Sequence, residues 1–211
     1  MSIINRLLGR HQRRKDDEEN ELVIGYDRDQ NPVVWDYERE HHCFFVGSTA
    51  DCYKAIMHMK KFVRAEGQEW DYIEIYTPSH DELRKNAKGT PEKVRFLVED
   101  INSMFAEIHR RYETDDPEAP PKQVLMVINQ ASLFGMNEQD WQEEYPLIPY
   151  KAAVVLHKRL EMLMKKSLSY NLHIMLLDDY FHEYEYIIER YSLAFGIEAD
   201  EDGNFHKVTV A

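Results

Sequence analysis

The segment from His42 to Lys54, HCFFVGSTADCYK, decides how we interpret the rest of the chain. Its apolar part, Cys43 to Val46, is short and ends at Gly47, which is typical of a buried parallel strand. From Ala50 to Ala65 the apolar side chains recur with the period of a helix. The segment therefore predicts a strand, a short loop and a helix, which is the unit from which parallel α/β sheets are built.

The same alternation extends on both sides of this segment. Upstream, Leu22–Gly25 and Pro32–Trp35 flank a polar turn at 27–31, which predicts an N-terminal β-hairpin. Downstream, strands alternate with helices, and this pattern predicts an α/β fold with a mainly parallel sheet and helices on both faces. The predicted downstream strands lie at 72–76, 124–128, 172–177, 191–195 and 205–210, and helices begin at 90, 152 and 181.

Residues 134–150 have no clear hydrophobic period, so we expect a loop or an insertion there. Trp141, Tyr145 and Pro146 lie within it. They would form either an exposed contact patch or the inside of a folded loop.

Composition limits the chain to one sizeable domain. The 211 residues, of which 43% are hydrophobic, are enough for a single α/β domain at 22–211, which follows a basic and then acidic tail at 1–21. Two cysteines cannot form a disulfide framework, so a reducing compartment is expected. Because neither a membrane-spanning run nor a secretory signal is recognisable, the sequence predicts a cytoplasmic location.

Charge is distributed unevenly along the chain. The net charge is −13, although residues 1–15 contain five basic residues and no acidic one, which leaves 21 Lys and Arg against 39 Asp and Glu, or −18, for residues 16–211. Because residues 16–211 are so acidic, they repel the phosphates of nucleic acid over much of their surface. We therefore expect a protein partner and not nucleic acid. The spacing of Ile3, Ile4, Leu7 and Leu8 permits an amphipathic helix on a membrane or a partner, or simply a solvated terminus.

The loop between the predicted strand and helix lies where a phosphate-binding loop would lie. Such a loop has the pattern G-x-x-x-x-G-K-[ST], because its backbone N–H groups wrap the phosphates, its lysine neutralises charge and its hydroxyl binds Mg²⁺. The corresponding residues of this chain are Gly47, Ser48, Thr49, Ala50, Asp51, Cys52, Tyr53 and Lys54.

Only the first glycine of that pattern is present. Cys52, Tyr53 and Lys54 stand where the second glycine, the lysine and the hydroxyl residue belong, and Asp51 adds a negative charge. Tyr53 is expected either to fill the pocket or to lie at the start of the helix, and Lys54 either to reach a phosphate or to be a surface lysine. The loop is therefore predicted to lack the charges that bind a triphosphate.

A second change lies at the end of the predicted strand at 124–128. A motor ATPase needs one acid there for Mg²⁺ and an adjacent acid to activate water. This chain has Asn129 and Gln130, which are the amide counterparts of Asp and Glu. Amides keep the shape of these side chains but cannot act as a base or bind Mg²⁺ strongly.

In its order of motifs the chain resembles the FtsK/SpoIIIE motor ATPase family, which includes plasmid-transfer proteins and the ATPase domains of type VII secretion. The resemblance covers about residues 22–180. It is carried by the hairpin Gly25–Asp36, the approach His42–Gly47, the strand end Ile75–Pro78, the helix Glu99–Tyr112, the strand region Val124–Phe134, and the helix and strand Val155–Leu177, after which Asp178-Asp179 replace a Thr-Gln pair.

This resemblance implies a P-loop NTPase-like, RecA-like fold with its catalytic residues replaced. The first hypothesis is a pseudo-ATPase that serves as a binding, regulatory or scaffold module for an active FtsK-like ATPase or for a homo-oligomer, in DNA transfer or secretion. Its pocket is empty or holds nucleotide without turnover, and neither ATP nor Mg²⁺ is an expected cofactor. The alternatives are a residual ATP-binding translocase subunit, and a DNA-binding accessory protein anchored by its basic residues 1–15. Separately, residues 1–15 could place the chain peripherally at the inner face of the membrane.

Other polar residues give weaker signals. Cys43 and Cys52 are interpreted as small buried residues and not as a redox or metal pair. Asp178 and Asp179, with Asn129, would form either a weak cation site or a solvated acidic cluster. The ten histidines are scattered and follow no metal-binding motif, so no metal site is predicted.

Overall fold

The structure is a computed structural model. It describes residues 21–66, 70–76, 99, 102–103, 105–106, 109–110, 123–129, 134–146, 149–167, 171–178, 188 and 190–209. The tail at 1–20, Gln130 and Asp179 lie outside these residues, as do most of the helices predicted to begin at 90 and 181. The described residues between 99 and 110 are helical.

The N-terminal hairpin is confirmed. Strands β1 (Glu21–Tyr26) and β2 (Pro32–Asp36) pair antiparallel, and the register shifts between Val23 and Gly25. In the turn, the Asp27 carboxylate accepts the backbone N–H groups of Asp29 and Asn31. Such local bonds fix a tight turn without help from the rest of the protein.

A six-stranded sheet forms the centre of the described fold. It has the order β4-β5-β6-β3-β7-β8, with β3 (His42–Val46) parallel to both of its neighbours. Of the pairs in this sheet, β7–β8 alone is antiparallel. The other five strands are β4 (Trp70–Tyr76), β5 (Gln123–Asn129), β6 (Leu172–Asp178), β7 (Phe195–Ala199) and β8 (Phe205–Thr209).

Two separate apolar cores cover the two faces of this sheet, because successive side chains of a buried strand point in opposite directions. Phe44 packs on one face with helices α2 (Glu138–Glu144) and α3 (Tyr150–Lys166). Cys43 and Phe45 pack on the other face with α1 (Thr49–Glu66) and the hairpin. The predicted α/β fold with helices on both faces is therefore confirmed.

Two sequence predictions about elements were wrong. Residues 134–150 do not form a loop throughout, since they contain α2, whose start is capped by the Asn137 side chain. Trp141 and Tyr145 are fully buried there, so the folded-in alternative holds for these two residues, whereas Pro146 is exposed. The seventh strand starts at Phe195 and does not occupy 191–195, because Tyr191 ends a helical turn and Ser192 has a φ of 53°.

No helix within the described ranges combines the length and apolar character that crossing a bilayer would require.

Candidate functional site

The candidate site lies at the carboxyl edge of the parallel strands. Val46, at the end of β3, pairs with Asp178 at the end of β6, and Asn129, at the end of β5, pairs with Leu177. The Gly47 N–H donates to the Asp178 carbonyl at 3.2 Å. The sheet therefore brings three of the predicted positions to one edge, which is where α/β proteins usually bind ligands.

The connection from β3 to α1 is short. Only Gly47 and Ser48 separate Val46 from the first helical residue, Thr49. The backbone N–H groups of Asp51 and Cys52 both donate to the Ser48 carbonyl at 2.9 Å. These N–H groups close the first turn of the helix, so the second half of the predicted loop is helical.

A hydrogen-bonded network at the start of α1 is centred on the Asp51 carboxylate. It accepts the Ser48 hydroxyl at 2.6 Å and the Lys54 ammonium at 2.7 Å. The side chain is only 9% exposed. Burial raises the pKa of this carboxyl, but the bonds from Lys54 and Ser48 outweigh burial and lower it below the ordinary value. A carboxylate thus occupies the positive end of the helix, where N–H groups and the helix dipole favour an anion.

The turn between β7 and β8 lies directly against this network. A Cβ atom at Gly203 would lie 3.0 Å from Lys54 Nζ and 3.1 Å from Asp51 Oδ1. On the other side, a Cβ at Gly47 would lie 2.9 Å from the Cβ of Ala199. Because β7 runs parallel to β3, its end reaches the same edge of the sheet and covers the start of α1.

The remaining predicted site residues differ in exposure. Tyr53 is 63% exposed on α1, so the alternative in which its ring fills the pocket is wrong. Lys54 is exposed and pairs with Asp51. Cys52 and Cys43 are buried thiols, as predicted. Asn129 is half-buried, and Asp178 is 2% exposed, so the expectation of a solvated acidic cluster is wrong for Asp178.

The sequence interpretation missed the covering turn. Asp200 to Asn204 has the same D-x-D-x-N pattern as Asp27 to Asn31, and this pattern predicts a tight turn. No local signal indicates that one of the two turns contacts α1, because that contact depends on how β7 and β3 pair. Gly203, whose φ is +78°, is the residue through which the turn reaches the network.

A second polar region lies at the opposite, amino edge of the sheet. A cleft of about 270 Å³ opens there, and His173 Nε2 lies 2.9 Å from Gln123 Oε1 at its wall. Burial, together with the nearby His41 and His42, lowers the pKa of His173 to about 4. The ring is therefore neutral at physiological pH. Among the residues that the structure describes, no group of three or more His, Cys, Asp or Glu side chains is arranged to bind a metal ion.

The sheet order, the covering helices and the N-terminal hairpin define an α/β fold of the P-loop ATPase type. Among solved structures, the chain is similar to the cytoplasmic domain of the Thermomonospora curvata type VII secretion ATPase EccC, at 15% identity and a TM-score of 0.50 over 87% of this chain. It is also similar to a second structure, an ATPase, at 9% identity and a TM-score of 0.55 over 94% of this chain and 80% of that one.

These likenesses show the fold that the two neighbours share with this chain. The chain spans only 22% of the length of the EccC chain that it matches. No protein-family model and no curated protein sequence matches the chain.

Proposed function

We propose that this chain is a pseudo-ATPase: a P-loop-type domain that does not hydrolyse nucleotide and serves as a binding, regulatory or scaffold module for a motor ATPase. The observation that carries the proposal is the Asp51 carboxylate, which lies buried at the start of α1 with a hydrogen bond to Ser48 and an ion pair to Lys54. A phosphate group at the start of this helix would meet a fixed negative charge of the protein itself.

The backbone supports the same proposal. A phosphate-binding loop needs several backbone N–H groups directed at the phosphates. Here the N–H groups of Asp51 and Cys52 are already bonded to Ser48. The turn that contains Gly203 also lies against the carboxylate and the ammonium group. Phosphate binding would therefore require both the helix start and the covering turn to rearrange.

The end of β5 supports loss of hydrolysis separately from loss of binding. In this proposal Asn129, the last residue of β5, replaces the Mg²⁺-binding acid that a catalytic strand would carry. An amide keeps the hydrogen bonds of that position but does not neutralise a divalent cation. Even a nucleotide that entered the site would lack this support for phosphoryl transfer.

We infer a role in binding, and the fold shared with solved ATPases is what supports it. The EccC structure belongs to a type VII secretion ATPase, and its chain is far longer than this one. A domain of that fold without turnover can still dock on an active FtsK-like ATPase or on further copies of itself, in DNA transfer or secretion. We place this activity in the cytoplasm, where the partner's nucleotide is available.

A thermal-shift titration with ATP and Mg²⁺ tests the proposal. A ligand present at 100 times its Kd stabilises the folded state by about 2.7 kcal/mol, which is easily measured. We expect no shift in Tm and no release of phosphate. A shift accompanied by turnover would defeat the proposal, and a shift without turnover would leave a nucleotide-binding but non-hydrolysing domain.

The Asp51→Ala variant makes that titration sharper. If the carboxylate is what excludes phosphate, its removal should give a Tm shift with inorganic phosphate or ATP that the wild type lacks. The Asp71→Ala variant, which removes an exposed carboxylate from β4, is the matched control and should behave as the wild type. The role given to Asp51 is contradicted if the Asp51→Ala variant folds, as judged by its circular dichroism, and still shows no Tm shift with either ligand.

A further inference from the structure

Helix α3 carries an exposed line of side chains on the side opposite its buried face. The line consists of Lys151, Val155, Lys158, Met162 and Lys165, and we call it the lysine seam. Its members are spaced by four, three, four and three residues, so at 3.6 residues per turn they share one side of the helix. The buried residues of α3 lie on the other side.

The apolar members of the seam are exposed to solvent. Val155 is 37% and Met162 39% exposed, and they are two of five large hydrophobic side chains exposed in the described ranges. The helix is also basic, since it carries five Lys and Arg residues against the single acid Glu161. This local charge contrasts with the net −13 of the whole chain.

The flank of the seam is occupied by the chain itself. Arg159 Nη1 donates to the Asn102 carbonyl at 3.1 Å, and Lys166 Nζ lies 3.2 Å from His109 Nε2. These two contacts tie one side of α3 to the helical residues between 99 and 110. The three lysines of the seam remain exposed.

We propose that the lysine seam is a docking surface for an acidic amphipathic helix of a protein partner. The seam has an average spacing of 3.5 residues, which is the spacing at which two helices pack side by side. Its apolar residues, Val155 and Met162, are seven residues apart, and lysines occupy the positions between and beside them. Val155 and Met162 supply the apolar contacts, and the lysines select Asp and Glu on the partner. The inference is independent of nucleotide chemistry and stands whether or not the chain hydrolyses ATP.

Other occupants fit less well. Two copies of α3 packed antiparallel about Lys158 would bring lysine against lysine. Single-stranded nucleic acid usually stacks its bases on aromatic rings, and the seam has none. A helix that lies on a membrane turns its large apolar face to the lipid, whereas the large apolar face of α3 is buried in the protein.

The experiment uses the whole chain and a fluorescent synthetic peptide of about three heptads. In each heptad, Leu occupies the two positions that would face the seam, and Glu occupies the others. Fluorescence anisotropy should report saturable binding. We expect Met162→Glu and Lys158→Glu each to weaken it about tenfold, which corresponds to about 1.4 kcal/mol. Met57→Glu is the matched control, because Met57 is similarly exposed, at 44%, but lies on α1. It should leave the affinity unchanged.

Several outcomes would overturn the proposal. They are no binding by the wild type, equal weakening by Met57→Glu, and equal binding of a scrambled peptide of the same composition, which would indicate charge alone. Tighter binding to a single-stranded oligonucleotide or to anionic phosphatidylserine vesicles than to the peptide would also overturn it. Urea midpoints like that of the wild type confirm that the variants fold, and Val155→Glu replaces any variant that does not.

Discussion

Two five-residue turns of this protein have the same local chemistry and different surroundings. In the turns at 27–31 and 200–204, the carboxylate of the first Asp accepts two backbone N–H groups and the side-chain amide of the final Asn. The first turn connects β1 to β2 and is open to solvent, whereas the second connects β7 to β8 and lies on the candidate site.

The fourth residue of each turn reveals the difference. It has a positive φ in both turns, at 62° for Gln30 and 78° for Gly203. A side chain is accommodated at Gln30, which faces solvent. At Gly203 a Cβ would press against Lys54 and Asp51. The same sequence pattern thus makes a surface turn in one place and the cover of a helix start in another.

The largest effect on stability is expected where the hairpin β1–β2 packs on the hairpin β7–β8. A Cβ at Gly25 of β1 would lie 2.0 Å from the buried Phe205 ring of β8. We predict that Gly25→Ala lowers the free energy of unfolding by about 3 kcal/mol, because the ring has to move within a packed core. Urea denaturation measures this effect.

A double variant tests the reason for that loss. If the clash is with the ring, Gly25→Ala should lower the free energy of unfolding much less in a Phe205→Ala background than in the wild type. The double variant should therefore lose less stability than the two single variants lose together. Strictly additive losses would mean that the two residues do not interact, and the packing of the two hairpins would need another explanation.

An intermediate effect of opposite sign is expected at the fourth position of each turn. Gln30→Gly should raise the free energy of unfolding by about 1 kcal/mol, because glycine adopts a positive φ without steric cost. Gly203→Ala should lower it by about 1 kcal/mol or more, because alanine is strained there and approaches Lys54 and Asp51. The same sign at both positions, measured by urea midpoint, would contradict the distinction between the turns.

The smallest effect on stability is expected for Asp27 and Asp200, the first residues of the two turns. The bonds from Asn31 and Asn204 lower the pKa values of Asp27 and Asp200 below the ordinary 3.8. A lowered pKa in the folded state means that the stabilisation is present above about pH 4 and is lost as the pH falls further. Asp27→Asn and Asp200→Asn should therefore be less stable than the wild type at pH 7, and the difference should shrink below pH 4.

Both turns should behave alike in this last test, because both carboxylates lie at the surface and make the same local bonds. Unfolding free energies measured from pH 7 to pH 3 would check it. A difference from the wild type that stays constant over this range would show that the charge of the aspartates does not stabilise the turns.

Much of the fold was predictable from local pattern. Hydrophobic period and turn residues were enough to predict the N-terminal hairpin and the strands at Cys43–Val46 and Val124–Ile128. They also predicted the helix that contains Lys54 and the helix that contains Leu160. Helix α2 was not predictable, because its seven residues bury one large side chain, Trp141, and one position defines no period. The start of β7 was misplaced because Tyr191 and Leu193 are apolar and buried without lying in a strand.

The candidate site was predictable only in part. The sequence indicated that Cys52, Tyr53 and Lys54 depart from a phosphate-binding loop. It did not indicate that Asp51 would be buried against Ser48 and Lys54, since the same residues could equally have faced solvent. Gln130 and Asp179 lie outside the described residues, so their predicted places in the pocket stay predictions.

The sequence alone determined the side chains available at each position and the local shape of each turn, because hydrogen bonds between near neighbours need no distant partner. The tertiary structure alone decided that the turn containing Gly203 covers Asp51. That contact exists because β7 pairs with β3, joining Glu198 to Val46 across about 150 residues of chain. Pairing over such a distance depends on the whole sheet, and no short pattern encodes it.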